Sequence, residues 1–343
     1  MTPARRTPCP DARVSRAACQ AMRAARALTA ACGLVLPMLA GCERHQSVPA
    51  IDSTMPMRPA PAGRSAAAVA STWDERLGPV LLVGAEAADE ATLVVPDSTA
   101  AGADTLTEPQ AIAIRSTPAT LLGRGDSVQL AILQERRTER GSGESTEECT
   151  GWPLWHIAAP PQAHGSPLAP WTIGFVGAAV LPVHLDSIEE LSRSDSARLA
   201  AEVTRLASTL PNAGGDRFVG LPFTVTSLWR FHAAPGTAAV AANLVRRVNQ
   251  EARPWEERTL LIAERDSTRR DDRFTLAYYS RTQGTEETIE SADVLGGART
   301  GPGGQPMLVV GRDYGDGMAY SIVERDPSGR WRERWRSARG SCK

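Results

Sequence analysis

Apolar residues in this chain recur mostly at every second position, in short runs broken by Gly, Pro, Asn or Asp. That period puts alternate side chains on opposite faces of a strand. Val80–Val83 and Thr92–Val95 are short apolar runs, and Ile112–Arg115 and Ser127–Gln134 alternate. Trp171–Val183 is apolar for 13 residues and contains Gly174, Gly177 and Pro182. It is too short to span a bilayer and reads as a buried strand pair or core segment. Beyond residue 220 the alternation becomes a series. Phe223, Val225, Ser227, Trp229 and Phe231 are predicted to share one strand face, and Val240, Ala242, Leu244, Arg246 and Val248 one face of the next. Further strands are predicted over Thr259–Glu264, Phe274–Arg281, Glu286–Ser291, Met307–Val310, Met318–Arg325 and Trp331–Arg336, with a Gly/Pro loop over Leu295–Pro306. Asp326-Pro-Ser-Gly329 is a turn, with Pro second and Gly fourth. In the last strand, Trp331, Glu333 and Trp335 oppose Arg332, Arg334 and Arg336.

One segment changes period. Leu199, Val203, Leu206 and Leu210 follow at spacings of 4, 3 and 4, which makes one apolar stripe on a helix. Ser194 is the expected cap, Asp195 suits the first turn, Glu202 and Arg205 can pair, and Pro211-Asn212 ends it. A shorter helical turn is expected at Ser187–Leu191. The fold class read from these patterns is α+β. It is mainly antiparallel sheet with a C-terminal meander and one prominent amphipathic helix at about 194–210. The body spans 71–343, with a division into two lobes near residue 183 left open.

The N-terminal region follows different rules. Arg23 and Arg26 precede an uncharged stretch, Ala27 to Gly41, of 15 residues interrupted by Pro37. This is a signal-peptide pattern over 1–41 rather than a spanning helix, and Met22 makes the better start. Leu39-Ala40-Gly41-Cys42 resembles the lipobox of bacterial lipoproteins. The resemblance covers the leader and this tetrapeptide. It implies that the Cys42 thiol receives a diacylglyceryl group, that a dedicated peptidase cuts before Cys42, and that the new amino terminus is acylated. Two or more acyl chains attach a protein stably where one gives marginal binding. The implied partner is therefore a membrane, through lipid on Cys42. Glu43, where Asp would favour inner-membrane retention, leans towards the outer membrane. Residues 42–70, rich in Pro, Ala and Ser, read as a disordered tether.

Composition narrows the chemistry. Hydrophobic residues are 42% and charged residues 22% of the 343, which is ordinary globular usage. The net charge of −1 becomes −6 once residues 1–41 are removed, so no basic footprint for nucleic acid is present. Lys343 is the only lysine. A Walker loop, a pyridoxal phosphate site and the Ser-x-x-Lys of penicillin-binding enzymes all need a lysine within the fold. No cofactor and no metal site is indicated. The cysteines beyond the leader are Cys42, Cys149 and Cys342, and with lipid on the first the other two are expected to form a disulfide.

Several groupings were candidates for chemistry. Trp152, Trp155 and His156 are a candidate ligand-binding cluster, since Trp rings stack on sugars; the bland alternative is core packing beside Cys149. Arg332, Arg334 and Arg336 could grip an anionic polymer, or simply guard an edge strand. Gly123-Arg124-Gly125-Asp126-Ser127 matches the integrin-binding pentapeptide of animal matrix proteins, and its place before a strand makes it a turn. The adjacent carboxylates Glu147/Glu148, Glu189/Glu190, Glu256/Glu257 and Glu286/Glu287 point to opposite faces on a strand and read as solvated surface. No His-Glu-x-x-His and no Gly-x-Ser-x-Gly occurs. No catalytic residue is assigned. The expected function is a non-catalytic binding or scaffold module of the cell envelope, with a protein or glycan partner. The alternative is a hydrolase on envelope polymers, which would need His156, His184 or His232 beside a nucleophile and a carboxylate.

Overall fold

A computed structural model describes residues 72–96, 106–136, 152–161, 167–211, 215–248, 254–266 and 273–341. All of them belong to one compact unit, Pro61–Lys343. The leader, Cys42, the 42–70 tether, Glu147/Glu148, Cys149 and Cys342 lie outside the described residues.

The described part of the chain first closes a six-stranded antiparallel barrel. Its strands are β1 (Leu81–Gly84), β2 (Glu90–Val94), β3 (Ala119–Leu122), β4 (Val128–Arg136), β5 (Leu154–Ala158) and β6 (Ile173–Val176). They run in the order β1-β2-β5-β4-β3-β6 and return to β1. Strand alternation fills the interior: Leu82, Leu93, Leu121, Leu133, Trp155, Ile157 and Val176 form one buried cluster. The helix α1 (Glu108–Ser116) adds Ala111 and Ile114 to it. Ile112–Arg115 was expected to be a strand and is instead part of α1. Four alternating residues fit either period. The local chemistry decides, because Pro109 sits in the first turn and the Gln110 side chain accepts from the Thr107 N–H at 2.8 Å.

Two stacked sheets follow. The five-stranded sheet runs β12-β11-β10-β9-β8, from β8 (Asp186–Ser187), β9 (Thr224–Ala234), β10 (Thr237–Val248), β11 (Trp255–Asp266) and β12 (Thr275–Thr285). The six-stranded sheet contains β7 (Leu181–Pro182), β13 (Ser291–Arg299), β14 (Pro306–Asp313), β15 (Gly317–Arg325) and β16 (Trp331–Arg336). Its order is β16-β15-β14-β13-β7, with β17 (Gly340–Ser341) also paired to β15. The body is thus mainly antiparallel sheet with a C-terminal meander. A cluster that includes Phe231, Ala241 and Ile262 from one sheet and Leu308, Val310, Val323 and Trp331 from the other fills the space between them.

Both sheets are also covered on their outer faces. The helix α2 (Arg193–Ser208) lays Leu199, Val203 and Leu206 on Leu228, Val240, Leu244 and Leu261. Each such side chain contributes about 1.5–3 kcal/mol on burial. The cap is Ser192, two residues before the expected Ser194; its Oγ accepts from the Asp195 N–H at 3.2 Å. The expected Glu202–Arg205 pair is present at 2.7 Å. On the far side, Met307, Val309, Ile322 and Trp335 pack against the barrel wall made by Leu81, Val83, Leu122, Ile173 and Phe175.

Bulges overturn three face and boundary expectations. A register shift between Ile322 and Val323 leaves Arg334 without a Cα partner on β15. Trp331 therefore packs between the sheets while Trp335 packs against the barrel, although their spacing suggested one face. A shift in the β9/β10 pairing does the same for β9: Phe223 faces α2, but Trp229 and Phe231 face the other sheet. Leu295–Pro306 was expected to be a loop, yet β13 runs through Gly296 and Gly297 to Arg299, and Glu286–Thr288 is the turn. A Cβ on Gly296 would lie 2.9 Å from Ile173, and one on Gly297 would lie 2.9 Å from Val183. The two glycines let β13 approach the chain that leaves the barrel.

Candidate functional site

The inward rows of the two sheets change from apolar to polar at the same level. On β10 the row runs Ala239, Ala241, Asn243, Val245, Arg247, and on β11 it runs Ile262, Leu260, Arg258, Glu256. On β12 it passes from Tyr278 to Ser280 and Thr282, and on β14 from Leu308 and Val310 to Arg312. The result is a cleft of about 190 Å³ between the sheets, lined by Asn243, Arg247, Arg258, Ser280, Glu290 and Arg312, with Val245, Leu260 and Ala292 supplying apolar wall.

Two charge clusters frame it. Glu256 is fully buried and accepts from Nε of Arg258 at 2.7 Å and from Nε of Arg247. Burial alone would raise the Glu256 carboxyl, but the bonds from Arg258 and Arg247 outweigh it and hold the group below its ordinary value. Both arginines spend Nε on this carboxylate. Their terminal guanidinium nitrogens have no protein partner among the described residues. Arg312 is different, because its three donor nitrogens are all engaged: Nε with Ser321 at 2.9 Å, Nη2 with Glu333 at 2.6 Å, and Nη1 with Glu290. Arg336 closes that second cluster through Glu333 at 2.6 Å, Glu290 at 3.3 Å and the Tyr314 hydroxyl at 3.2 Å.

The opposite face of β11 carries a matching buried pair. Glu257, also fully buried, accepts from Arg246 Nε at 3.0 Å and Gln283 Nε2 at 2.5 Å, with Arg281 Nε at 3.5 Å. Arg246 also stacks over Phe223 at 4.7 Å and donates to the Phe218 carbonyl. Glu256/Glu257 was expected to be solvated surface. Arginine partners on both faces of the strand make burial tolerable instead.

The residues singled out in the sequence are dispersed. Trp155 lies in the barrel interior, its Nε1 without a hydrogen-bond partner among the described residues. Trp152 packs at the barrel–sheet seam, tilted against Tyr320, and donates to the Met318 carbonyl at 3.2 Å. His156 points to the opposite face of β5 from Trp155. The three make no common platform. Arg332 is exposed with no ion pair among the described residues, Arg334 pairs with Glu324 at 2.6 Å, and Arg336 joins the inter-sheet cluster. The strand therefore presents no row of arginines. Arg124 of the pentapeptide stacks over Trp229 at 4.6 Å and bonds the Leu295 carbonyl, so that loop is a joint between barrel and sandwich. His184 completes the joint between Asp126 at 3.4 Å and Asp186 at 2.9 Å, so both ring nitrogens face carboxylates rather than a nucleophile. Among the described residues no group of His, Cys, Asp and Glu is arranged to hold a metal ion.

Sequence reasoning missed the cleft because its residues come from six strands spread between Thr226 and Arg312. The available signal was the charge that interrupts otherwise apolar rows at Arg247, Arg258 and Arg312. No helix among the described residues is long and apolar enough to cross a membrane. Comparison of the chain with protein-family models, with curated proteins and with solved structures finds no match.

Proposed function

We propose that the protein is a non-catalytic binding module of the bacterial cell envelope, tethered by lipid on Cys42, with the inter-sheet cleft as its ligand site. The observation that carries the reading is the pair of guanidinium ends, on Arg247 and Arg258, that have no partner among the described residues while a buried carboxylate fixes their Nε atoms. Such groups present hydrogen-bond donors in a planar fork and accept none. The one carboxylate lining the cleft among the described residues, Glu290, is already engaged by Arg312 and Arg336. These are the features of a site built to hold a ligand.

Native mass spectrometry tests the binding half. The full chain in detergent is mixed with the low-molecular-weight soluble fraction of a bacterial envelope. Wild type is expected to retain a discrete adduct that Arg247→Gln loses. No adduct, or one equally retained by the variant, would sink the reading. The anchor is tested by Cys42→Ala, which should abolish acyl labelling and leave an unprocessed precursor. A Cys149–Cys342 disulfide belongs to the same proposal, because export places the chain in an oxidising compartment. It should appear as a mobility shift on reduction that Cys342→Ser removes.

A further inference from the structure

The charge inventory of the cleft points to a ligand class. Arg247, Arg258, Arg312 and Arg336 meet three carboxylates, Glu256, Glu290 and Glu333, which leaves one positive charge in excess. Arg312 is spent on its three partners and Arg336 lies in the same cluster. The excess therefore resides on Arg247 and Arg258. A planar fork of N–H groups matches a carboxylate in two parallel bonds, and a single excess charge suits a monoanion better than a dianionic phosphate. Beyond the fork the wall offers neutral polar groups: the Ser280 hydroxyl, and the Asn243 amide, whose Nδ2 donates to Ser227 at 2.8 Å while its Oδ1 has no donor among the described residues. Val245, Leu260 and Ala292 supply a patch for C–H surface. At about 190 Å³ the space is smaller than the roughly 300–1,000 Å³ of drug-sized sites, so it holds one small ring and not an extended chain.

We infer that the cleft takes a single carboxylated sugar unit, a uronic acid or similar sugar acid, with its carboxylate on Arg247 and Arg258 and its hydroxyls on Ser280 and Asn243. This rests on the cleft being the ligand site of the proposed binding module. D-glucuronate, D-glucose and inorganic phosphate, each titrated calorimetrically into the full chain in detergent, separate the terms. Glucuronate should bind at one site, and glucose, which lacks the carboxylate, about tenfold or more weaker. Phosphate should not compete. Arg247 is 52% exposed at its side chain and Arg258 remains on Glu256, so Arg247→Gln should still fold, with a lowered thermal midpoint, and lose about tenfold or more in affinity when titrated well below that midpoint. Arg247→Lys, which keeps charge without the fork, should fall between. Ser280→Ala serves as a second variant that touches neither charge cluster, and should weaken glucuronate several-fold. Equal binding of glucose, stronger binding of phosphate, or indifference to Arg247→Gln and Ser280→Ala would overturn the inference. If glucuronate fails while the envelope adduct persists and still depends on Arg247, the sugar-acid class is wrong and the binding module stands. If both fail, both readings fall.

Discussion

Glu256 and Glu257 are neighbours in sequence, yet both are fully buried, on opposite faces of one strand, each bound by its own arginines. The strand thereby carries a negative charge into the inter-sheet space and another under α2. Removing one partner of a buried pair leaves the other uncompensated, at a cost of about 3–5 kcal/mol. Arg246→Ala is therefore expected to lower unfolding free energy by that amount in urea titrations. A loss under about 1 kcal/mol would show that Glu257 is solvated after all.

Glu256 makes stability depend on pH. Glu256 is held below its ordinary value, so the folded state releases this proton more readily than the unfolded chain. Its contribution is complete above the unfolded value near 4.5 and is lost as pH falls through the lower folded value. Wild type should therefore exceed Glu256→Gln in stability near neutrality, and the gap should close in strong acid. Urea midpoints measured across the acid range decide it; a gap that widens on acidification contradicts the assignment.

Tyr320 sets the alkaline side. Burial against Trp152 and the barrel wall raises its phenol to about 12. The neutral form is the one the fold retains, so its contribution is present below the unfolded value near 10 and lost as pH rises through about 12. An ultraviolet titration should show one fewer late-ionising phenol in Tyr320→Phe. Identical curves for the two proteins would contradict this.

The seam glycines give a packing prediction. Gly297→Ala would place its Cβ 2.9 Å from Val183 Cβ and 3.1 Å from the Val183 carbonyl oxygen. Overpacking of this kind costs about 1–3 kcal/mol. Gly303, with nothing within 4 Å of its would-be Cβ, is the control. Thermal midpoints should fall for Gly297→Ala and hold for Gly303→Ala.

The helix cap separates sequence expectation from structure. Ser192→Ala should cost about 0.5–2 kcal/mol. Ser194→Ala should cost a few tenths at most, because the cap bond to the Asp195 N–H comes from Ser192. Comparable losses at the two serines would mean that the cap is shared.

Local patterns were legible wherever one period held over a whole element. The α2 stripe and the β10, β11 and β15 strands stand close to where their sequences put them. What escaped is what a period cannot encode. The barrel closes by pairing Leu81 with Phe175, a contact with no local trace. Single-residue bulges near Thr226 and at Arg334 turn the strand over, so later side chains swap faces. Gly296 and Gly297 look like a loop until the close approach of Ile173 and Val183 is known. The cleft was hidden because buried charge contradicts the prior that charge is exposed, and only cross-strand partners resolve it.

The six-stranded sheet is covered on both faces, by the barrel wall on one side and the other sheet on the other. Chains are synthesised from the amino end, so Ile173 and Phe175 exist well before Met307, Val309 and Trp335, which cover them. Until those residues arrive, a nascent barrel carries a sticky flank with nothing on it. That interval is when holdase chaperones would find their target, and it explains why a fragment ending after β6 should clump rather than survive alone.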